Sequence, residues 1–346
     1  MAYTTVPKSS DYFNCQIWTG TGASQNITGN NFLPSFAWIK ALGSGNHHLF
    51  DQVRGVQKYI SSNLTNAEAT SASMLTAFNS DGYTLGGDGG TNGNGYDYVG
   101  WNWKANGQGS SNTDGTINTI YTSASATSGF SICQYTGTGA NATVGHGLGV
   151  APKVVMVKQT NTTKDWMVYH KYTNPDGTGA QYYLHLNNND SRASNAAMWQ
   201  NTDPTSSVFS LGTNSTVNGS GDTYIAYCFA DTQGFSNFNY FNGNANVDGP
   251  FIYTGFAPAY VLTKRVNGAE NWFLYDNARS PINVRDKYIT VDGSGANSNT
   301  DCYDFLSNGF KLRTSADALN GSHEFIYMAF AAAPLVSTNG DIATAR

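Results

Sequence analysis

The chain has 346 residues, room for two or three domains of about 100–150 residues each. Charged residues make up 12%, against a typical ~25%, and 38 Gly, 21 Tyr and 18 Phe give the composition of β-structure with many turns, while 40% hydrophobic content excludes a disordered chain. A net charge of −5 lacks the basic excess that a nucleic-acid partner needs, and no run approaches the ~18 apolar residues of a membrane span.

In chain order, a lead (residues 1–12, "MAYTTVPKSSDY") has no apolar signal-peptide core, so synthesis in a cytoplasm is expected. A first strand starts at Phe13 and runs to Trp18, where "WTGTGASQN" places glycines that predict a turn with positive φ. Pro34 then leads "PSFAWIK", which ends at Lys40, and "HHLFDQVR" follows from His47. "NAEATSASMLTAF" (66–78) has the length and Ala content for a helix of about three turns, with a single turn as the alternative. Tyr83 and Leu85 form an aromatic-x-Leu pair, and "YVGWNW" closes the unit from Tyr98.

These five landmarks return twice in constant order, which marks an internal repeat. The second set is Tyr135 ("YTGTGANAT"), Pro152 to Lys158, Trp166, Phe209 with Leu211, and "YIAYCF" from Tyr224. The third is Tyr240, Pro258 to Lys264, Trp272, Phe310 with Leu312, and "FIYMAF" from Phe325. Phe13, Phe130 and Phe235 each stand five residues before Trp18, Tyr135 and Tyr240. The expected units are 13–104, 130–231 and 232–334, with a Gly/Ser/Asn/Thr-rich linker at 105–129 and a tail at 335–346.

Within each unit, apolar runs of four to six residues rich in Val, Ile, Tyr, Phe and Trp lie between Gly, Asn, Asp and Ser clusters, the strand-and-turn signature. About 95 residues with six or seven short strands is the size of a β-sandwich, roughly twice a propeller blade. The expectation is an all-β chain of three tandem β-sandwich modules, jelly-roll and concanavalin A-like, each with its own core.

Catalytic and metal-binding constellations were sought, and no residue is assigned to either role. Glu68, Glu270 and Glu324 are scattered, with no paired carboxylates for glycoside hydrolysis. His47 and His48 sit together, but successive strand residues point to opposite faces, so a surface or core-edge place is expected. Cys15, Cys133, Cys228 and Cys302 are too far apart for a Cys-x-x-Cys motif and read as isolated thiols. Two Asp-x-x-Arg pairs follow aromatic strands, Asp51 with Arg54 and Asp276 with Arg279; the second unit reads His170 to Thr173 there. They are either local ion pairs bracing a loop, worth under ~1 kcal/mol if exposed, or ligand or interface contacts. The loops Gly86 to Asp97 and Leu186 to Ser191 offer oxygen ligands suited to Ca²⁺, although neither follows an EF-hand.

"KSSDYFNCQIWTGTGA", "LTAFNSDGYTLG", "YVGWNWK", "DFLSNGFKLRT" and "FIYMAFAAAP" resemble the repeated lectin- or glucanase-like modules of tailed-phage virion proteins, particularly of marine phages. The resemblance spans Lys8 to about Pro334. It implies a non-enzymatic structural protein on the virion surface, either a capsid decoration or a tail appendage, assembled in the host cytoplasm and released by lysis. Its partners would be other virion proteins and further copies of itself, with a trimer as the form the resemblance implies. The alternative is a carbohydrate-binding adhesin of a tail fibre, with exposed Trp and Tyr stacking on host-surface glycans.

Overall fold

In a computed structural model, residues 4–336 are described. The fold is all-β: among the described residues the α-helices are Ala196–Trp199, Ser215–Asn218 and Asp317–Asn320, one turn each. Three main sheets share one strand order. In the first, Phe13–Thr19 pairs with the closing strand Asp97–Trp103, which pairs with the Pro34-led strand Phe36–Ala41, which pairs with His47–Asp51. The second sheet repeats this order with Phe130–Thr136, Thr223–Phe229, Val154–Gln159 and Met167–His170. The third repeats it with Ser236–Asn242, Glu324–Pro334, Phe256–Arg265 and Trp272–Asp276. Phe36, Val154 and Tyr260, each two residues after its proline, face Trp103, Phe229 and Phe330 across the ladder. The three prolines therefore occupy equivalent places.

The Pro-led strands are apolar at consecutive positions because both faces of the sheet are covered. In Phe36–Ala41, the side chains of Phe36 and Trp38 enter a core common to all three sheets. Ala37, Ile39 and Ala41 enter a local core under the small sheet formed by Gln25–Ile27, Gly82–Leu85 and Leu75–Asn79. Val154 and Met156, against Val155 and Val157, divide in the same way in the second unit, whose small sheet is Ala142–Gly145 with Val208–Leu211. The aromatic-x-Leu pairs of the first two units lie buried on their small sheets, and Phe310 with Leu312 is buried on Gly309–Leu312, a strand that extends the third main sheet.

At the centre, the last aromatic residues of the three closing strands meet. Trp103 and Phe229 have ring centroids 6.3 Å apart, Trp103 and Phe330 5.5 Å, and Phe229 and Phe330 5.9 Å. This triangle marks a pseudo-threefold axis. The expectation of three self-contained cores is thereby corrected: the first and second units have local cores, the third has none separate from the common one, and all three bury their inner faces together, because one sheet side per unit has only the other two units to cover it.

Three further expectations change. Segment 105–129 is packed, not a free linker: Tyr121–Ser125 adds an edge strand beside Phe130–Thr136, and Ile117 is buried with a bridge to Val144. The predicted helix at 66–78 is replaced by strands Ala69–Thr70 and Leu75–Asn79. There Leu75 is buried against the small sheet and Phe78 pairs with Tyr83 across a hairpin, so tertiary packing overrides the helix propensity of Ala. Tyr240 is exposed, and Phe241 takes the buried position of Trp18 and Tyr135. Its ring stacks on Phe325 at 5.1 Å as Tyr135 stacks on Tyr224 at 5.1 Å and Trp18 on Tyr98 at 5.7 Å. The third copy of the nonapeptide is thus "FNGNANVDG", one residue later than its tyrosine suggests. Of the tail, 337–346 lies outside the described residues.

Candidate functional site

The residues the sequence singles out converge on the seams between units. Asp51 and Arg54 are fully buried, with Arg54 Nε donating to Asp51 Oδ2 (2.5 Å) and Arg54 Nη2 to Leu49 O (2.8 Å). Tyr227 of the second unit donates its hydroxyl to the same Asp51 Oδ2 (2.7 Å). Burial works against the Arg54 charge, but Asp51, Tyr227 and Glu68 together outweigh it and raise the guanidinium pKa. Asp276 and Arg279 repeat the arrangement: Arg279 Nε donates to Asp276 Oδ2 (2.6 Å), Arg279 Nη2 to Leu274 O (2.9 Å), and Trp101 of the first unit donates Nε1 to Asp276 Oδ2 (2.9 Å). Trp101 and Tyr227 hold the same place in their closing strands. In the second unit, His170 stands at the equivalent position and its Nε2 meets Tyr327 O of the third unit (3.3 Å). The two pairs are therefore contacts between units of one chain. Neither carboxylate reaches solvent, which excludes both from touching an external ligand at this seam.

A second ring of seam contacts involves the aromatic strands. Trp166 Nε1 donates to Ser61 O (2.8 Å) and Trp272 Nε1 to His185 O (2.8 Å), each reaching the preceding unit. His47 does this for the first unit. Its Nδ1 accepts from Trp38 Nε1 (2.8 Å), which leaves the proton on Nε2 to donate to Thr290 O (3.1 Å). Burial, aided by Lys40, pushes the His47 pKa well below its ordinary value, so the ring is neutral. His47 and His48 are both buried, which corrects their expected surface or core-edge place. Two landmark lysines, Lys158 and Lys264, join the ring, while Lys40 closes its own hairpin. Lys158 Nζ donates to Thr65 O (3.1 Å) and Gln159 O (2.8 Å), Lys264 Nζ to Asn189 O (3.0 Å) and Glu270 O, and Lys40 Nζ to Ala41 O (2.6 Å) and Gly43 O (2.8 Å). Burial lowers all three pKa values to about 8.

The loops considered for Ca²⁺ are held by their own side chains. Asn92, in Gly86 to Asp97, accepts from Thr21 N (2.9 Å) and donates to Ala23 O (2.6 Å) and Gly86 O (2.7 Å), clamping the Thr-Gly-Thr-Gly turn. Asn218 makes the same three bonds, with Thr138 N, Ala140 O and Gly212 O, as does Asn320 with Asn244 N, Asn246 O and Thr314 O. In Leu186 to Ser191, Asn187 accepts from Trp166 N and donates to Asp165. Among the described residues, no group of three or more His, Cys, Asp or Glu is placed to hold a metal ion. The sequence reading missed these asparagines. Their signal is an Asn-Gly dipeptide six residues before Tyr98 and Tyr224 and five before Phe325.

Two of the solvent-facing clefts border the third unit. One, of about 310 Å³, opens between the turn joining the second and third units and the turn after Phe251–Tyr253; Asp231, Gln233, Ser236, Asn237, Tyr253 and Thr254 line it. The other, of about 270 Å³, lies in the third unit between Ser280–Val284, Asp286, Lys287 and Asp301, with a flank of Arg279 at its base. All seven tryptophans are buried, which corrects the expectation of exposed Trp for sugar stacking; among the described residues the exposed aromatics are Tyr96, Tyr240, Phe251 and Tyr253.

A family described as "Domain of unknown function (DUF7483)" matches residues 8–334, nearly the whole chain. No curated protein and no solved structure matches it. No helix among the described residues is long and apolar enough to cross a membrane.

Proposed function

The chain belongs to the DUF7483 family, and we propose, from the resemblance of its motifs to virion modules, that it is a non-enzymatic structural protein of a tailed-phage particle, exposed on the virion surface as a decoration or appendage knob. The observation that carries the reading is the triangle of Trp103, Phe229 and Phe330, with the equivalent seams around it. The ionisable groups that a catalyst would present to a substrate, Asp51, Arg54, Asp276, Arg279, His47, His170 and the three lysines, are buried and spend their hydrogen bonds joining one unit to another or closing a hairpin. Outside, the repeated turns are Gly, Ser, Asn and Thr, suited to solvated contact surfaces. The motifs resembling virion modules lie in the first and third units, while the second departs from them by reading "SSVFSLG" where the others read "SDGYTLG" and "SNGFKLR".

Its partners on this reading are other virion proteins. One chain already supplies three equivalent flanks, the arrangement that appendages otherwise assemble from three copies, so a monomer suffices to seat on a threefold position of a particle.

The test is to raise antibodies against the purified chain, label intact particles and count copies by quantitative mass spectrometry. Labelling at a fixed head or tail position, with a copy number set by particle symmetry, supports the reading. Absence from purified particles overturns it.

A further inference from the structure

We propose that the seam between the first and third units is an acid-operated latch: protonation of His47 releases the turn at residues 42–46 from the loop at residues 291–297, while the seam between the first and second units stays closed. The virion reading plays no part in this inference.

The turn and the loop are joined directly. Gly45 N donates to Ser294 O (2.8 Å), Asn297 N to Leu42 O (2.7 Å) and Ser62 Oγ to Val291 O (2.8 Å), and His47 adds its bond from Nε2 to Thr290 O (3.1 Å). In the other two units an indole fills the place of this imidazole. Trp166 and Trp272 donate Nε1 across their own seams, and an indole nitrogen only donates and takes up no proton in mild acid. The first unit is the one of the three that puts a titratable ring there.

The proton has one place to go, and that place is already taken. Trp38 Nε1 can only donate, so its bond to His47 Nδ1 (2.8 Å) requires a lone pair on that nitrogen. A proton on Nδ1 sets two N–H groups against each other. It does so in a ring that is 0% exposed, with Trp38 edge-on at 5.8 Å between centroids and Trp101 stacked at 6.4 Å. A buried imidazolium without an acceptor is costly, so it moves out to water and the Thr290 bond breaks with it.

The groups facing the ring act in the same direction. Burial is the largest influence lowering the His47 pKa, and Lys40 on the neighbouring strand, the adjacent His48 and Arg279 of the third unit add to it, while the Thr290 carbonyl opposes them. Arg279 is itself paired with Asp276. His48 packs against Tyr59 and feels Asp88. Asp292, two residues past Thr290, has a pKa raised by burial to about 6, but its bond from Trp272 N (3.0 Å) lies inside the third unit and does not depend on the latch. Shut, the latch holds His47 well below the ordinary value of 6.5; open, it returns the ring to that value. The open form therefore binds the extra proton as pH falls below 6.5, and the opening constant rises about a hundredfold between pH 7.5 and pH 4.5.

The test is amide hydrogen exchange of the full chain at pH 7.5 and pH 4.5, read residue by residue and corrected for the chemical pH dependence of exchange. Gly45 and Asn297 should lose about a hundredfold in protection. Glu68 N and Lys164 N, which bond Thr160 O and Thr65 O across the seam between the first and second units, should change by about threefold or less. The seam between the second and third units is not the reference, because His170 lies in it. His47→Gln keeps an uncharged donor for Thr290 O and should hold the protection of Gly45 and Asn297 within about threefold over the same range. In the unaltered chain, the nitrogen shifts of His47 should report its second proton in step with the loss of protection. Protection at Gly45 and Asn297 that does not change with pH, that falls together with Glu68 and Lys164, or that still falls in His47→Gln overturns the proposal. A His47 ring that stays neutral while the two amides exchange overturns it as well, and this readout decides alone if His47→Gln does not fold.

Discussion

Asp276 is fully buried among donors: Ala278 N and Arg279 N bond Oδ1 at 3.0 and 2.8 Å, and Arg279 Nε and Trp101 Nε1 bond Oδ2 at 2.6 and 2.9 Å. Removing one member of a buried pair leaves an uncompensated charge, so Asp276→Asn should cost about 3–5 kcal/mol in urea unfolding. Replacing both partners, Asp276→Met with Arg279→Met, removes both charges and should cost less than the single change. A loss below about 1 kcal/mol in Asp276→Asn would mean that the pair is not structural. The buried lysines set a pH dependence. Lys40, Lys158 and Lys264 have folded pKa values of about 8 against an ordinary 10.5, so the unfolded chain binds more protons between those values and stability rises with pH across that window. Above about pH 10 the trend reverses, because burial raises the pKa of Tyr224, to about 12, and of Tyr135 and Tyr227, and only the unfolded chain ionises there. The melting temperature should climb from pH 7.5 to a maximum near pH 9 to 10. A flat or falling curve between pH 8 and 9.5 would show that the lysines keep their charge at no cost.

At the scale of an element, the twice-written Thr-Gly-Thr-Gly has two different reasons for its glycines. A Cβ on Gly20, Gly137 or Gly243 would lie 2.2, 2.3 or 2.0 Å from the carbonyl oxygen of Gly93, Gly219 or Gly321, so the first glycine is required by close approach of backbone. The second, Gly22 or Gly139, has φ of 67° or 72°, and Ala245 holds the same place at 54°. Gly137→Ala should therefore cost clearly more than Gly139→Ala, whose strain is about 1 kcal/mol, since Ala245 shows that this site admits a Cβ. Equal losses in chemical unfolding would refute the distinction. Asn218→Ala strips the turn of its side-chain bonds and strands buried carbonyls, for an expected loss of about 3 kcal/mol. The landmarks were legible because each is a residue type that the local geometry demands at fixed spacing. The asparagine clamps were not, since an Asn-Gly dipeptide looks like any other turn in so Gly-rich a chain. Phe241 was hidden behind Tyr240 because adjacent aromatics carry the same signal and only the pleat decides which one points inward.

At the scale of the molecule, the common core was foreshadowed by runs such as "FAWIK" and "VVMVK", apolar at consecutive positions as strands covered on both faces must be. What covers the second face was not legible, because Asp51 with Tyr227 or Trp101 with Asp276 are partners far apart in sequence. Segment 105–129 looked like a linker by composition, yet it buries Ile117 and extends a sheet. The consequence is cooperative. Unfolding one unit would expose the inner faces of the other two, so calorimetry should give one transition with no separately melting domain, despite a length at which domains usually melt in parts. Trp103→Ala tests this from the axis. The ring packs on Phe13, Phe36, Phe130, Phe229, Tyr260 and Phe330, drawn from all three units, and its loss should cost about 3–5 kcal/mol. That loss should shift the single peak as a whole, whereas Tyr96→Ala, at an exposed loop, should move it by under about 0.5 kcal/mol. If Trp103→Ala instead splits off one early-melting unit and leaves the remainder at its original temperature, the three sheets are independent neighbours and the axis is only a place where they touch.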